Sequence, residues 1–310
     1  MVMKSTGNWY DILSEDGDMI QARMGGKIRL DELKTTNPVA VGDQVELTME
    51  TNHDYIIRQI MPRTNYVVRQ SPRKKHNLHL IASNVDHALL IVTVIEPNLK
   101  MGFIDRFLLM TEPYNIPVTI VFNKSDLYKA KENKIFERVH DIYTKIGYAV
   151  VKTSTMTREG LDTIKDILTD KKVLISGQSG VGKSSLINAI VPGYEIRVGD
   201  ISDHSGKGQH TTTFAEMHQW QSNSFIIDTP GIKTLSFNNL EVMDVAHNFR
   251  EFFVMSLDCK FNDCTHRNEP NCAVKKAVET GEIDELRYNN YLQIIDDIES
   301  QNYWELHSDY

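Results

Sequence analysis

The sequence predicts a three-part fold in which an α/β domain lies between a small β-barrel and a helical metal-binding domain. Residues 1–80 are short alternating segments between turns, and residues 81–240 alternate β-branched runs with helical segments. Residues 241–310 are helical around the only three cysteines of the chain. Alternation of strand and helix is typical of a mainly parallel sheet that is covered on both faces.

The composition fits a globular protein. The 310 residues are 41% hydrophobic and 25% charged, with a net charge of −8 at pH 7. That charge argues against nonspecific coating of nucleic acid but leaves room for a local basic patch. No apolar run approaches the roughly 20 residues that span a membrane, and the first residues lack a signal-peptide core. We therefore expect a cytoplasmic monomer with no membrane partner.

The N-terminal region, residues 1–80, predicts about five short strands. Turn residues such as Gly42-Asp43 separate the segments. Val45, Leu47 and Met49 alternate with polar residues, as in a half-buried strand. A small barrel of this kind favours the OB type.

A basic segment follows, with no acidic residue between Asp54 and Asp86. Tyr66 lies within it, and a basic barrel face with an aromatic ring suits RNA backbone contact and base stacking. The alternative is a solvated linker that happens to be basic. The candidate RNA-binding residues are Arg69, Arg73, Lys74 and Lys75.

A phosphate loop of the pattern G-x-x-x-x-G-K-S lies between a predicted strand, Val173–Ser176, and a predicted helix. Its backbone N–H groups and the helix N-terminus would surround phosphates. Lys183 would bridge the β- and γ-phosphates as a catalytic residue, and Ser184 would bind Mg²⁺. The loop alone does not separate ATP from GTP. Its residues are Gly177, Gln178, Ser179, Gly180, Val181, Gly182, Lys183 and Ser184, followed by Ser185.

A guanine-recognition turn, Asn123-Lys124-Ser125-Asp126, follows the predicted strand Val118–Phe122. The Asp126 carboxylate would accept N1–H and the exocyclic amine of guanine, a pair of donors that adenine lacks. Ser154 and Thr155 follow the predicted strand Ala149–Lys152 and would meet the guanine O6. Such turns bind ligands at the carboxyl ends of strands in an open α/β sheet.

Three further residues predict the γ-phosphate and magnesium side of the site. Asp228 ends the predicted strand Ser224–Asp228 and would reach Mg²⁺, and the Gly231 N–H would meet the γ-phosphate. Thr212, in a run of three threonines, would complete the Mg²⁺ shell. Thr211 and Thr213 remain alternatives, and the run could instead begin the strand that leads to Trp220.

These segments stand in an unusual order, because base recognition precedes the phosphate loop, the switch threonine and the metal aspartate. Each segment nevertheless follows a strand or falls in the expected interval. Chance agreement of all five is far less probable than chance agreement of one. The sequence therefore predicts a circularly permuted P-loop GTPase domain that binds GTP and GDP with Mg²⁺.

The three cysteines and one histidine predict a metal centre. Cys259, Cys264, His266 and Cys272 are spaced C-x₄-C-x-H-x₅-C. A closed Cys₃His shell is typical of a structural Zn²⁺ site. The alternative is a reduced, buried set of thiols beside a chance histidine.

The whole pattern resembles the ribosome small-subunit-dependent GTPase A family. The resemblance rests on the permuted order, the segment Gly208–Thr213, the Cys/His cluster and the N-terminal segment Lys34–Asp43. It implies a bacterial GTPase that acts late in assembly of the 30S subunit and contacts 16S rRNA. It also implies slow hydrolysis that the subunit stimulates.

The resemblance also suggests a catalytic residue. Ile232 stands where Ras-like enzymes place the glutamine that orients water, and an isoleucine cannot do this. The resemblance suggests His210 as the substitute, because an imidazole can orient or deprotonate water at neutral pH. The alternative is that His210 is an ordinary surface loop residue.

Other functions remain open at this level. A P-loop ATPase or kinase with an OB barrel would lack the guanine preference expected from Asp126. A nucleotide-dependent RNA-binding switch need not act on the ribosome. Intact Lys183, Ser184 and Asp228 argue against a decayed nucleotide domain in a structural RNA-binding protein.

Overall fold

A computed structural model describes most of the 310-residue chain. The ranges are 1–25, 35, 37–50, 54–70, 78–191, 215–229 and 240–307, with only the backbone of Gln70 and 301–307. Several residues discussed above lie outside these ranges: Arg73, Lys74, Lys75, His210, Thr211, Thr212, Thr213, Gly231 and Ile232.

The N-terminal strands form a barrel with the order β1-β2-β3-β5-β4, in which only the β3–β5 pair is parallel. Two backbone hydrogen bonds of 2.9 Å close it, from Gly42 N to Val2 O and from Val2 N to Asp43 O. This confirms the predicted OB-type barrel. The strands are β1 Val2–Ser5, β2 Trp9–Leu13, β3 Met19–Met24, β4 Val45–Met49 and β5 Tyr55–Ile60.

Strand β4 is less buried than its alternating pattern predicted. Val45 and Leu47 are half-buried, but the Met49 side chain is 56% exposed. The barrel closes before β4, at Gly42 and Asp43, and β4 is the last strand in the sheet order. The far end of β4 therefore extends past the core.

The first strand of the basic segment, β5, belongs to the barrel, but the next two strands do not. Strands β6 (Tyr66–Gln70) and β7 (Leu78–Ser83) form a separate two-stranded sheet, in which Arg69 pairs with His79. The Tyr66 ring packs on Tyr114 with centroids 4.4 Å apart. Arg63 donates to the buried Asp43 carboxylate through two bonds of 2.7 Å. Tyr66 and Arg63 therefore both contact side chains within the protein, Tyr66 the Tyr114 ring and Arg63 the buried Asp43 carboxylate.

The central sheet has the order β10-β9-β8-β11-β13-β12, parallel except for β12. One β1–β12 pair, Lys4 opposite Glu216, joins it to the barrel. Strand β8 ends at Val92, and the two residues after it bond to groups outside the sheet: Thr93 Oγ1 to Ile95 O, and Val94 N to the Tyr128 hydroxyl. The strands are β8 His87–Val92, β9 Val118–Phe122, β10 Ala149–Lys152, β11 Lys172–Gly177, β12 Glu216–Gln221 and β13 Ser224–Asp228.

Helices cover both faces of this sheet, as predicted. Successive residues of β8 enter different cores: Leu89 lies in one cluster and Leu90 in the other. Helices α1 and α2 pack on the Leu90 side, and α3 and α4 pack on the Leu89 side. The helices are α1 Met101–Thr111, α2 Ala130–Ile146, α3 Leu161–Leu168 and α4 Lys183–Ile190.

The C-terminal helices dock on the central domain through buried charges. Arg287, 2% exposed, bonds to Asp105 of α1 and to both oxygens of Glu251, and Tyr143 of α2 donates to Asp105 at 2.5 Å. A buried cation needs such partners to offset its desolvation.

Within the described part of the chain, no helix is long and apolar enough to cross a membrane. The last helices are α5 Val242–Asn248, α6 Arg250–Ser256, α7 Ala273–Glu279 and α8 Glu285–His307.

Candidate functional site

The predicted nucleotide-binding segments that the structure describes meet at one edge of the central sheet. Strands β8, β9, β10, β11 and β13 are parallel, so their carboxyl ends share that edge. In register, Gly177 lies opposite Ile91, and Phe122 lies between Val92 and Lys152. Asp228 lies opposite Ile175. Ligands of open α/β sheets bind at this edge.

The phosphate loop curls around the ammonium group of Lys183. Lys183 Nζ donates to the carbonyls of Gly177 and Gln178 at 2.8 Å each, and the Lys183 side chain is buried. Gly182 has φ +90° and lies against Asn123, whose Nδ2 would stand 2.6 Å from an added Cβ. A side chain at this position would therefore be strained and would separate the loop from Asn123. Ser184 and Ser185 continue into α4.

Asn123 connects all three loops of the site. Its Nδ2 donates to Val181 O in the phosphate loop at 2.9 Å. Its Oδ1 accepts a bond of 3.1 Å from Thr153 Oγ1 in the base loop, and its backbone N–H donates to Val92 O at 2.8 Å. The side chain is buried. One amide thus links the predicted guanine-recognition turn to the base loop and to the phosphate loop.

The Asp126 carboxylate is oriented by the base loop. Ser154 Oγ donates to Asp126 Oδ1 at 2.5 Å and accepts from the N–H groups of Met156 and Thr157. Thr155, half-buried, lies on the same loop. A carboxylate held in this way can present acceptors to the paired donors of a planar base.

The base-recognition turn is also held from its other side. Lys124 has φ +61°, and its Nζ donates to Glu96 O at 2.6 Å. Ser125 Oγ donates to Glu159 Oε2 at 2.5 Å. Glu96 and Glu159 belong to neither predicted motif.

Burial shifts the pKa values of Lys183 and Asp228, which lie where Mg²⁺ and the phosphates are predicted to bind. It lowers the pKa of Lys183 to about 8, against the attraction of Asp228. It raises the pKa of Asp228 to about 6, against the attraction of Lys183. Asp228 Oδ1 is buried with no hydrogen-bond partner among the described residues. A buried carboxylate oxygen of this kind, with the Ser184 hydroxyl, fits the hard oxygen ligands that Mg²⁺ prefers.

The predicted zinc ligands converge. The ligand atoms of Cys259, Cys264, His266 and Cys272 all lie within 4.8 Å of one another. The sulfurs of Cys259 and Cys272 are 3.9 Å apart, and two sulfurs on one tetrahedral zinc lie about 3.8 Å apart for a Zn–S bond of about 2.3 Å. The donor set and the spacing fit one structural zinc ion.

Glu269 supports the turn that carries His266. It accepts from Thr265 N at 2.8 Å, from Thr265 Oγ1 at 2.6 Å and from Arg267 N at 2.8 Å. Burial opposes ionisation, but these hydrogen bonds lower the pKa of Glu269 to about 2. Tyr288 donates to His266 O at 2.7 Å. Together they hold His266 at φ +59°, which is unfavourable for a residue with a side chain.

Four supporting residues were not predicted from the sequence. They are Glu96, Tyr128, Glu159 and Glu269, and the Tyr128 hydroxyl donates to Asn123 O at 2.8 Å. Their contacts depend on the fold, and no spacing rule identifies them. Tyr128 and Glu159 lie shortly after two of the motifs and Glu269 lies inside the Cys/His cluster, whereas Glu96 is far from every motif in the sequence. Among the predicted residues, Arg69 lies away from this edge, on the two-stranded sheet.

The fold and the site define a circularly permuted P-loop domain with an OB-type barrel before it and a Cys₃His centre after it. A family model described as RsgA GTPase matches residues 60–238, and one described as RsgA N-terminal domain matches residues 1–57. The chain belongs to the RsgA GTPase family, and it is a GTP hydrolase that uses Mg²⁺ with its nucleotide.

Individual relatives match over nearly the full chain. The small ribosomal subunit biogenesis GTPase RsgA of Bacteroides fragilis is 44% identical over 303 residues, 98% of each chain. The protein of the same name from Flavobacterium johnsoniae is 43% identical over 298 residues, 95% of this chain and 92% of the other.

Two solved structures share the architecture. YjeQ from Thermotoga maritima superposes with a TM-score of 0.78 at 34% identity, covering 96% of this chain and 97% of the other. YloQ, described as a circularly permuted GTPase, has a TM-score of 0.71 at 30% identity, covering 97% and 94%. The permuted order of the sequence motifs is thereby confirmed as a property of the fold.

Replacing Glu269 should weaken zinc binding. Glu269→Ala removes three hydrogen bonds from the His266 turn, and loss of such supporting groups typically lowers metal affinity by about 10–100-fold. Competition with a chromogenic chelator measures the affinity. Glu279→Ala, an exposed glutamate on α7, is the matched control and should bind zinc as the wild type does. Equal zinc affinity in Glu269→Ala and wild type would contradict this role.

The nucleotide-free protein should lose stability as Asp228 ionises. Its folded pKa of about 6 exceeds the ordinary 3.8, so the folded state holds the proton more tightly than the unfolded state. Stability from this group is present below about pH 4 and is lost as the pH rises through 6. At about 1.4 kcal/mol per pKa unit, the loss is about 3 kcal/mol.

The comparison that isolates this effect is with Asp228→Asn, using urea unfolding from pH 4 to pH 7. The unfolding free energy of the wild type should fall relative to that of the variant. Asp166→Asn, at an exposed site on α3, should follow the wild type. Parallel profiles for wild type and Asp228→Asn would show that Asp228 keeps its ordinary pKa.

Proposed function

We propose that this protein hydrolyses GTP on the small ribosomal subunit and acts late in maturation of that subunit. The relatives that it matches over nearly their full length are named small ribosomal subunit biogenesis GTPases. The observation that carries the proposal is the 2.9 Å bond from Asn123 to Val181, which joins the guanine-recognition turn to the phosphate loop. A permuted GTPase needs this junction to bind both ends of one nucleotide.

In this proposal each loop binds one part of GTP. Asp126 accepts from the guanine edge, supported by Asn123, Lys124 and Ser125, while the base loop at Ser154 and Thr155 meets O6. The loop Gly177–Ser184 and Ser185 surround the phosphates, with Lys183 on the β- and γ-phosphates. Gly231 contacts the γ-phosphate. The proposed Mg²⁺ ligands are Ser184, Thr212 and Asp228.

The proposed partner is the 30S subunit, through its 16S rRNA. The basic segment around Arg69, with Arg73, Lys74 and Lys75, supplies cations for phosphate contact. We place the protein in the cytoplasm with that subunit, and as a monomer. Cosedimentation with purified 30S subunits at increasing salt tests the contact, because phosphate contacts weaken as salt rises.

The deciding experiment is GTP turnover with and without purified 30S subunits, with ATP as the control. We expect slow turnover alone, stimulation by the subunit, and no ATP turnover. Asp126→Asn should weaken GDP binding by about 10–100-fold, because charge-assisted hydrogen bonds are lost. Stimulation by unrelated RNA but not by 30S subunits would favour the alternative, an RNA-binding switch that does not act on the ribosome.

His210 is the proposed residue that orients the attacking water, since Ile232 cannot. General acid–base groups typically contribute about 10²–10⁴-fold to rate. His210→Ala should therefore lower subunit-stimulated GTP turnover by about 100-fold or more and leave GDP affinity nearly intact. Unchanged stimulated turnover in this variant would remove His210 from the mechanism.

A further inference from the structure

A buried tyrosine lies directly behind the guanine-recognition turn. Tyr128 follows the turn by two residues, and its ring packs in the core beside α1 and α2 with 8% exposure. Its hydroxyl donates to the Asn123 carbonyl at 2.8 Å and accepts from the Val94 N–H at 3.2 Å. One buried oxygen thus joins the turn to the loop that follows β8.

The bond to the Asn123 carbonyl sets the direction of the turn. The Asn123 side chain and N–H are already bonded to Val181, Thr153 and Val92, so the carbonyl is its remaining polar group. That carbonyl belongs to the peptide plane that leads into Lys124, which has φ +61°. A tight 3-10 turn over Ser125–Leu127 follows. The tilt of this peptide plane therefore decides where Asp126 points.

The bond from Val94 holds the second side of the same pocket. Val94 is the second residue of the loop of residues 93–100, which connects β8 to α1. In that loop the Glu96 carbonyl receives Lys124 Nζ at 2.6 Å. Pro97 lies beside the phosphate loop, where its Cδ would stand 3.7 Å from a Cβ added at Gly180. The loop thus contacts both the base-recognition turn and the phosphate loop.

We propose that Tyr128 is a positioning residue for guanine recognition, which aims the Asp126 carboxylate by fixing the Asn123 carbonyl against the loop of residues 93–100. The inference rests on the proposed function, in which Asp126 binds guanine. Burial raises the pKa of the Tyr128 hydroxyl above its ordinary value, so the hydroxyl stays a donor at neutral pH.

Tyr128→Phe tests this role, because it keeps the ring and deletes only the shared hydroxyl. We expect GDP affinity to fall about five- to tenfold, the usual cost of leaving buried polar groups unpaired. Inosine diphosphate lacks the exocyclic amine that Asp126 would accept, so its affinity should fall less. The preference for GDP over inosine diphosphate should therefore narrow, while kcat for GTP stays unchanged and KM rises.

The matched control is Tyr10→Phe, which removes a buried tyrosine hydroxyl, hydrogen-bonded to Ser5, in the barrel. It should keep the wild-type preference for GDP over inosine diphosphate. If Tyr128→Phe lost the same factor of affinity for GDP and for inosine diphosphate, Tyr128 would have only a structural role and the proposal would be overturned. Unchanged affinities for both nucleotides would also overturn it. A wild type that binds ADP as well as GDP would instead overturn the guanine assignment of Asp126, on which the proposal rests.

Discussion

The site depends on the parallel pairing of β8 with β11. Strand β8 also pairs with β9, so it stands between the half of the domain that carries the turn Asn123–Asp126 and the half that carries the phosphate loop. Hydrogen bonding between two strands depends on their register and direction, and it does not depend on the order of the strands along the chain. The two halves can therefore exchange their order in the sequence and still meet at one edge. The Asn123–Val181 bond crosses this junction, and the glycine at 182 leaves room for it.

Two groups of buried charges serve opposite purposes. Arg287 is bonded to Asp105 and Glu251, so its charge is compensated, and the cluster fixes the C-terminal helices on α1 and α2. Lys183 and Asp228 are also buried, but here burial outweighs their mutual attraction. It lowers the pKa of Lys183 and raises the pKa of Asp228, and both shifts favour the neutral form of the side chain. A site that must receive phosphates and a cation keeps such unbalanced charges at a cost in stability. The first cluster therefore stabilises the fold, and the second is suited to a ligand.

Helix α8 connects the zinc centre to the nucleotide domain. Tyr288 and Tyr291 donate to the carbonyls of His266 and Thr265, while Arg287, on the same helix, bonds to Asp105 of α1. Phe249 and Phe252 pack against Tyr291 between these two contacts. A zinc ion held by Cys259, Cys264, His266 and Cys272 would close a loop that has little core of its own. Metal binding and domain docking therefore stabilise the same helix.

Features whose chemistry is local could be predicted from the amino-acid sequence alone. The phosphate loop, the turn Asn123–Asp126 and the cysteine spacing are contiguous, and the strands Val118–Phe122, Ala149–Lys152 and Ser224–Asp228 have the bounds that their β-branched runs predict. The remaining features follow from the tertiary structure. It ended β8 at Val92, exposed Met49 and turned Tyr66 toward Tyr114. It also placed Tyr128 behind Asn123 and Glu269 beneath His266. These outcomes depend on contacts between segments distant in sequence, and no local pattern encodes which segment will be the neighbour.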